Sequence, residues 1–152
     1  MKKILSSLLV LILCFGLFGC GGDKGKTTVC KMGEGTNNEN IVTFKSEGDK
    51  ISTAEYEITT NFAVYGYTSE QIQTSVDTTK AKYAIDGLDY KGEIVGDVLV
   101  ETIKVDYNKA NMEELLALKI VISVDGSVPK FVSLKSTVDD LVKNNNAVCT
   151  EK

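Results

Sequence analysis

Histidine and arginine are both absent from this chain, and proline occurs once, at Pro129. Without histidine the commonest general base and metal ligand is missing, and Ser-His-Asp and Cys-His nucleophile systems go with it. Any enzymatic chemistry would have to run on carboxylates, lysines or tyrosines. Every cation is a lysine and the formal net charge is -4 at pH 7. Phosphate contacts want a basic face and guanine is commonly read by arginine, so nucleic acid is not an expected partner. No alanine precedes Ala54, which removes the Ala-x-Ala cleavage site of ordinary secretion. The apolar run from Ile4 to Phe18 is also shorter than the roughly 20 residues that a membrane-spanning helix needs.

What the N-terminus does contain is ordered. Lys2 and Lys3 precede the apolar run, which ends in Leu17-Phe18-Gly19-Cys20 and gives way to the polar stretch Gly21 to Lys26. This pattern reads as a lipoprotein signal, with a plainly secreted protein as the alternative. Residues 1–19 are then a cleaved signal peptide. Cys20 carries a thioether-linked diacylglycerol, its acyl chains of palmitate type, and two chains make the anchoring stable. Residues 20–28 follow as lipidated cysteine and flexible tether, Gly21 to Thr28 reaching about 15 Å as a random coil. Residues 29–152 form one domain. The expected location is the extracytoplasmic face of a bacterial cell membrane. The expected partners are the membrane, through the lipid anchor, and an unidentified envelope protein or small ligand.

Cysteine usage follows from that assignment. Cys14 leaves with the signal, Cys20 takes the lipid, and Cys30 and Cys149 remain. Outside the cell an even pair reads as a disulfide, here one that staples the two ends of the domain. Two buried thiols are the alternative. Two cysteines without histidine cannot complete the usual tetrahedral zinc set, and neither a metal nor a cofactor is expected.

Along the domain the period is first two. Ile41 to Lys45 and Lys50 to Thr60 flank the turn composition Glu47-Gly48-Asp49, which predicts a hairpin. Ala54, Tyr56 and Ile58 share one face of its second strand, and Thr53, Glu55, Glu57 and Thr59 the other. Val29 to Met32 adds a short preceding strand, and Gly33 to Asn40 reads as loop. Thr68-Ser69-Glu70-Gln71 is a capping box, with Ile72, Val76, Thr79 and Tyr83 at helical spacing behind it. The helix is expected from Ser69 to about Ile85, with Gly87 placed to end it. A second hairpin follows, Leu88 to Ile94 and Val98 to Asp106. Asn111 caps a short helix through Leu118. Pro129 argues against a central strand, so Phe131 to Leu134 is expected as an edge strand. Ser136-Thr137-Val138-Asp139 opens a terminal helix ending near Asn144 to Asn146.

The order of these pieces resembles the YehR-like bacterial lipoproteins, small envelope proteins without an assigned biochemical activity. The resemblance is carried by the Cys20 lipobox, Gly48-Asp49-Lys50, Tyr65-Gly66-Tyr67-Thr68-Ser69-Glu70 and Asp86-Gly87-Leu88-Asp89-Tyr90. It continues through Glu101 to Asn111 and ends with Val132-Ser133-Leu134-Lys135-Ser136. It implies an α+β fold, an antiparallel sheet built from hairpins with helices packed on one side, and it implies no catalytic residue.

Three candidate sites are set against simpler readings. Asp86, Asp89 and Glu93 offer hard oxygens to calcium, but their spacing lacks a calcium-loop pattern and solvated acids suffice. Asp139 and Asp140 could pair as acid and base, but neighbours on a helix diverge by about 100°, and a capping role for Asp139 suffices. Tyr56, Phe62, Tyr65 and Tyr67 could form a binding surface or close the end of the core. Contiguous exposed rings would mark a surface, and rings packed on Ile72 and Val76 would mark core. The functional expectation is a membrane-anchored, non-catalytic binding or interaction protein. The alternative is a small hydrolase-type enzyme using carboxylate and tyrosine groups in a cleft between sheet and helices.

Overall fold

The computed structural model describes residues 25–123 and 126–152; the signal-peptide and lipobox readings fall outside them. The elements in chain order are β1 (Lys26–Met32), β2 (Asn38–Glu47), β3 (Lys50–Asn61), α1 (Ser69–Lys82), β4 (Leu88–Val95), β5 (Val98–Asp106), α2 (Met112–Ala117), α3 (Leu134–Asn145) and β6 (Val148–Glu151). The strands form one antiparallel sheet in the order β4-β5-β3-β2-β1-β6. This is the α+β architecture that the resemblance implies, with the two hairpins that the alternating runs predict.

Because side chains alternate across a strand, register decides what shares a face. Cys149, Cys30, Val42, Tyr56, Ile103 and Tyr90 are cross-strand neighbours in one row, and this face meets the helices. The adjacent row, Val29, Thr43, Glu55, Lys104 and Asp89, lies on the uncovered face. Glu55 and Lys104 form an ion pair there at 3.1 Å. The expected partition of β3, with Ala54, Tyr56 and Ile58 inward, therefore holds. A bulge shifts the register between Lys45 and Ser46. Ser52 is the extra residue, and its Oγ donates to the Lys45 carbonyl at 3.0 Å. The bulge turns Ile51 inward as well as Ala54, and Ile51 is fully buried.

The covered face carries two apolar clusters. The larger, around Cys30, Val42, Phe44, Ile51, Ala54, Val105 and Leu115, is closed by Val138 and Leu141 of α3. Each fully buried Phe44, Ile51 or Leu115 side chain contributes about 1.5–3 kcal/mol relative to exposure. The smaller joins Phe62, Val76, Tyr90 and Leu99 beneath α1. Helix α1 starts at the predicted capping box: Thr68 Oγ1 accepts from the Gln71 amide, and the Gln71 side chain accepts from the Thr68 amide. Its thin stripe sits hard on the sheet. A Cβ at Gly92 would lie 2.9 Å from Val76 Cγ1, so the missing side chain lets helix and strand approach. The Asn111 cap of α2 also forms, its Oδ1 accepting from the Glu113 and Glu114 amides.

Five local expectations are corrected. Lys26 to Thr28 belongs to β1 rather than to the tether, and Thr28 is buried. β2 begins at Asn38, inside the stretch read as loop. Helix α1 ends at Lys82 with Tyr83 as C-cap. Gly87 serves a turn instead: its φ is +75° and a Cβ there would lie 2.6 Å from the Ala110 nitrogen. Phe131 to Leu134 is not a strand. Ser133 is the N-cap of α3, accepting from the Ser136 amide at 3.1 Å while its Oγ donates to Asp49 Oδ2 at 2.7 Å. Asp49 also accepts from the Lys135 amide through Oδ1 and from the Leu134 amide through its carbonyl, both at 2.7 Å. Asp49 from the β2-β3 turn thus takes the role expected of Asp139, and Ser136 lies inside the helix. The short β6 strand is an addition that the pattern did not predict.

The sheet has two distinct ends. Lys26 stands opposite Ser46, which stands opposite Ile51. The Glu47-Gly48-Asp49 turn and the start of α3 cluster at this entry end. The 33–37 connection, residues 62–68 and the Gly96-Asp97 turn gather at the other, tied by bonds from the Asn61 amide to the Asn37 carbonyl and from the Phe62 amide to the Asp97 carbonyl. β3 runs from one end to the other, a distance of about 30 Å at about 3.3 Å per residue with allowance for twist.

Candidate functional site

The four aromatic candidates separate. Tyr56 packs inward, edge-to-face on Phe44 with centroids 6.3 Å apart, and its hydroxyl lies 3.5 Å from that of Tyr107. Burial pushes the Tyr56 phenol upward, partly opposed by the Tyr107 contact. Tyr107 is pushed far upward by burial and then by Tyr56. Both hydroxyls stay protonated and tie β3 to the turn after β5. Phe62 is only 2% exposed and packs with Val76 and Ile72, which meets the criterion for core. Tyr65 and Tyr67 are each 55% exposed. They belong to a short connection in which Ala63 to Tyr65 forms a single 3-10 turn ended by Gly66 in the left-handed region.

Two residues not singled out in the sequence stand with them: Val64 is exposed on the same connection, and Val95 at the neighbouring β4-β5 turn. The signal available for them was an apolar residue in a turn, where burial is not expected. Of the four aromatic candidates Tyr65 and Tyr67 are thus exposed, with Val64 between Phe62 and them on the same connection, at the end of the sheet opposite Lys26.

Cys30 and Cys149 are bonded, S–S 2.03 Å, across 119 positions of chain. They are direct register partners in β1 and β6. The bond holds the last strand of the chain to the first, with Cys30 fully buried.

Of the carboxylate candidates, Asp86 and Asp89 border the same groove on the uncovered face, Glu93 does not, and Asp139 and Asp140 lie apart from them on α3. Asp89 and Glu93 project from the uncovered face of β4, where Glu93 pairs with Lys91 at 2.7 Å. Asp140 accepts from Asn144 at 2.7 Å on the exposed side of α3. Among the described residues no three His, Cys, Asp or Glu side chains are placed to hold a metal. Two open grooves are present. One, of about 440 Å³, lies on the uncovered face against Thr43, Thr53, Glu55, Lys104 and Asp106. The other, of about 450 Å³, runs between α3 and the β1-β6 edge and includes Leu134, Val138, Asp49 and Asp139. Asp49 is held below the usual carboxylate range, first by the Lys135 amide and then by the Ser133 hydroxyl. Its lone pairs are thus engaged in capping. The polar cluster under α1 is likewise structural: the Tyr90 hydroxyl donates to Glu101 Oε1 at 2.7 Å. Burial, and then Glu101, push Tyr90 well above its ordinary range.

No helix of the described residues is long and apolar enough to cross a membrane. Comparison with known proteins agrees with this fold. The solved structure of Escherichia coli YehR superposes with a TM-score of 0.64 at 22% identity, covering 78% of this chain and 86% of that one. A protein from Streptococcus pneumoniae TIGR4 superposes with a TM-score of 0.53 at 12% identity, covering 100% and 96%. Both show the fold alone. In sequence, the chain is 30% identical over 139 residues to the uncharacterized lipoprotein Lmo0207 of Listeria monocytogenes, with 90% of this chain and 89% of that protein covered. Lin0239 of Listeria innocua, also an uncharacterized lipoprotein, matches to the same extent. Residues 29–146 match the family described as "Protein of unknown function (DUF1307)". The chain belongs to that family, and its fold is that of YehR.

Proposed function

We propose that this protein is a lipid-anchored, non-catalytic interaction domain on the extracytoplasmic face of a bacterial membrane. In this reading residues 1–19 direct export and are removed, and Cys20 carries the lipid. The surface formed by Val64, Tyr65 and Tyr67 contacts another envelope protein. The observation that carries it is the placement of that surface: half-exposed rings at the end of the sheet remote from Lys26, where the anchored segment enters. Tyrosine rings with free polar tips suit a protein contact, since they bury apolar area while keeping a hydrogen-bonding group. The non-catalytic part is supported by tyrosine and carboxylate groups committed to packing, capping and ion pairs.

The test is photo-crosslinking in living bacteria with a benzophenone amino acid at position 65 or 67, and at Thr53 on the uncovered sheet face as a control. Intact mass of the purified protein is read in parallel. The expected result is a discrete protein adduct from positions 65 and 67 and none from position 53, on a protein whose mass matches cleavage before Cys20 plus diacylglycerol. Equal labelling at all three positions would reject the aromatic surface, and an unlipidated mass would reject the anchor.

A further inference from the structure

We infer that the apolar side chains of Val128 and Phe131 rest on the lipid bilayer itself, so that the domain stands on the membrane with its entry end down. This rests on the reading of Cys20 as the lipidated residue. Phe131 is 48% exposed and Val128 41%, yet the chain that follows Phe131 is firmly held. Val132 packs against the larger core, and its carbonyl accepts from the Ile51 amide at 2.9 Å. Ser133 bridges to Lys50 and caps α3. Phe131 is therefore displayed outward from a pinned backbone.

Register places this display beside the tether. Lys26 faces Ser46, Ser46 faces Ile51, and Ile51 bonds to Val132, so Val132 stands at the level of Lys26 along the strand axis. It is three strand spacings away, about 14 Å. Because β1 begins at Lys26, only Gly21 to Gly25 separates Cys20 from the sheet. That leash spans about 12 Å as a coil and about 20 Å fully drawn out. The entry end cannot leave the bilayer surface by more than the leash allows, and a modest tilt brings Phe131 to it.

The surrounding chemistry suits a headgroup boundary. Lys130, Lys135 and Lys50 are exposed on the same segment or its neighbours, and long lysine stems keep the ammonium in water while their methylenes follow an apolar partner. Glu47, Asp49 and Asp139 at the same end offset those charges. Insertion of the two apolar side chains, to about 5–10 Å into the headgroup and acyl boundary, rather than net charge, is what holds the orientation.

The chain has no tryptophan, so a single introduced indole reports its own position. Full-length lipidated protein with Phe131→Trp, Val128→Trp or Tyr65→Trp is purified from bacterial membranes. Each is reconstituted into vesicles of phosphatidylethanolamine and phosphatidylglycerol, with and without brominated acyl chains. Flotation with the vesicles, lost in Cys20→Ser, reports the anchor separately. The expected result is blue-shifted emission that brominated lipid quenches at positions 131 and 128, and unshifted, unquenched emission at 65. Vesicle-bound protein in which all three indoles behave alike overturns the orientation and leaves the anchor standing. A blue shift at 131 without lipid quenching also overturns it, because protein rather than lipid then covers the site. Failure of the wild type to float overturns both readings.

Discussion

Breaking the Cys30–Cys149 bond should cost this domain more stability than removing any single core side chain. The bond closes a loop of about 120 residues, nearly the whole folded chain. In the chain-entropy model the loss is 2.1 plus 1.5R ln n, about 16 cal/mol/K, or about 5 kcal/mol at 25 °C. Domains of this size are stable by about 5–15 kcal/mol, so the reduced protein should be marginal. A second effect is local. β6 is an edge strand of four residues that pairs with β1, and without the bond its amides should exchange well before the rest of the sheet. The assay is urea unfolding of the mature chain carrying Cys20→Ser, oxidised and reduced, with Cys30→Ala/Cys149→Ala as a reagent-free check. At a slope of about 1.5 kcal/mol/M the midpoint should fall by about 3 M. Hydrogen exchange at Val148 to Glu151 is followed under native conditions. A midpoint shift below about 0.7 M, corresponding to roughly 1 kcal/mol at that slope, would refute the loop-closure argument. It would mean that the unfolded chain is already compact without the bond.

Two further perturbations are independent of the bond. Gly48 and Gly87 both have positive φ, but a Cβ at Gly48 meets open space, whereas one at Gly87 meets the backbone of Asp106 and Ala110 within 2.8 Å. Gly48→Ala should cost about 1–2 kcal/mol of conformational strain, and Gly87→Ala should add an overpacking cost of about 1–3 kcal/mol. Equal losses in thermal midpoint would show that the close approach has no energetic weight. The second perturbation is acid. Asp49 has a folded-state pKa below its ordinary 3.8, so its capping contribution is present above about pH 4 and fades as pH falls through the lowered value. Unfolding measured from pH 7 to pH 2 should show the gap between wild type and Asp49→Asn closing below that point. A gap that stays constant through the acid range would assign the difference to something other than the carboxylate charge.

The local elements were legible because their determinants lie within a few residues of each other. The two hairpins are set by alternation around Gly48 and Gly96, and the starts of α1 and α2 by Thr68 with Gln71 and by Asn111 with its amides. The disulfide was legible as an even pair, though not as a strand-to-strand staple. The start of α3 was misread because Ser133, Ser136 and Thr137 are equivalent as local caps. The choice falls to Ser133 because Asp49, 84 positions earlier, holds its hydroxyl. β6 was missed for a related reason: four residues carry no period, and the partner that makes them a strand is at the other end of the chain.

The candidate surface divides in the same way. That Tyr56, Phe62, Tyr65 and Tyr67 are aromatic and close in sequence follows from the chain alone. Tertiary structure decides that Tyr56 turns inward to Tyr107 and that Phe62 seats under α1, leaving Tyr65 and Tyr67 outside. Exposure depends on which distant segments arrive to cover a side chain. The ends of the sheet were invisible for that reason too. The sequence by itself determined the two hairpins and the capped starts of α1 and α2, because those rest on local periodicity and capping. Only the tertiary structure decided that Lys26 stands at one end of the sheet and the exposed tyrosines at the other, because that depends on strand register across the whole sheet.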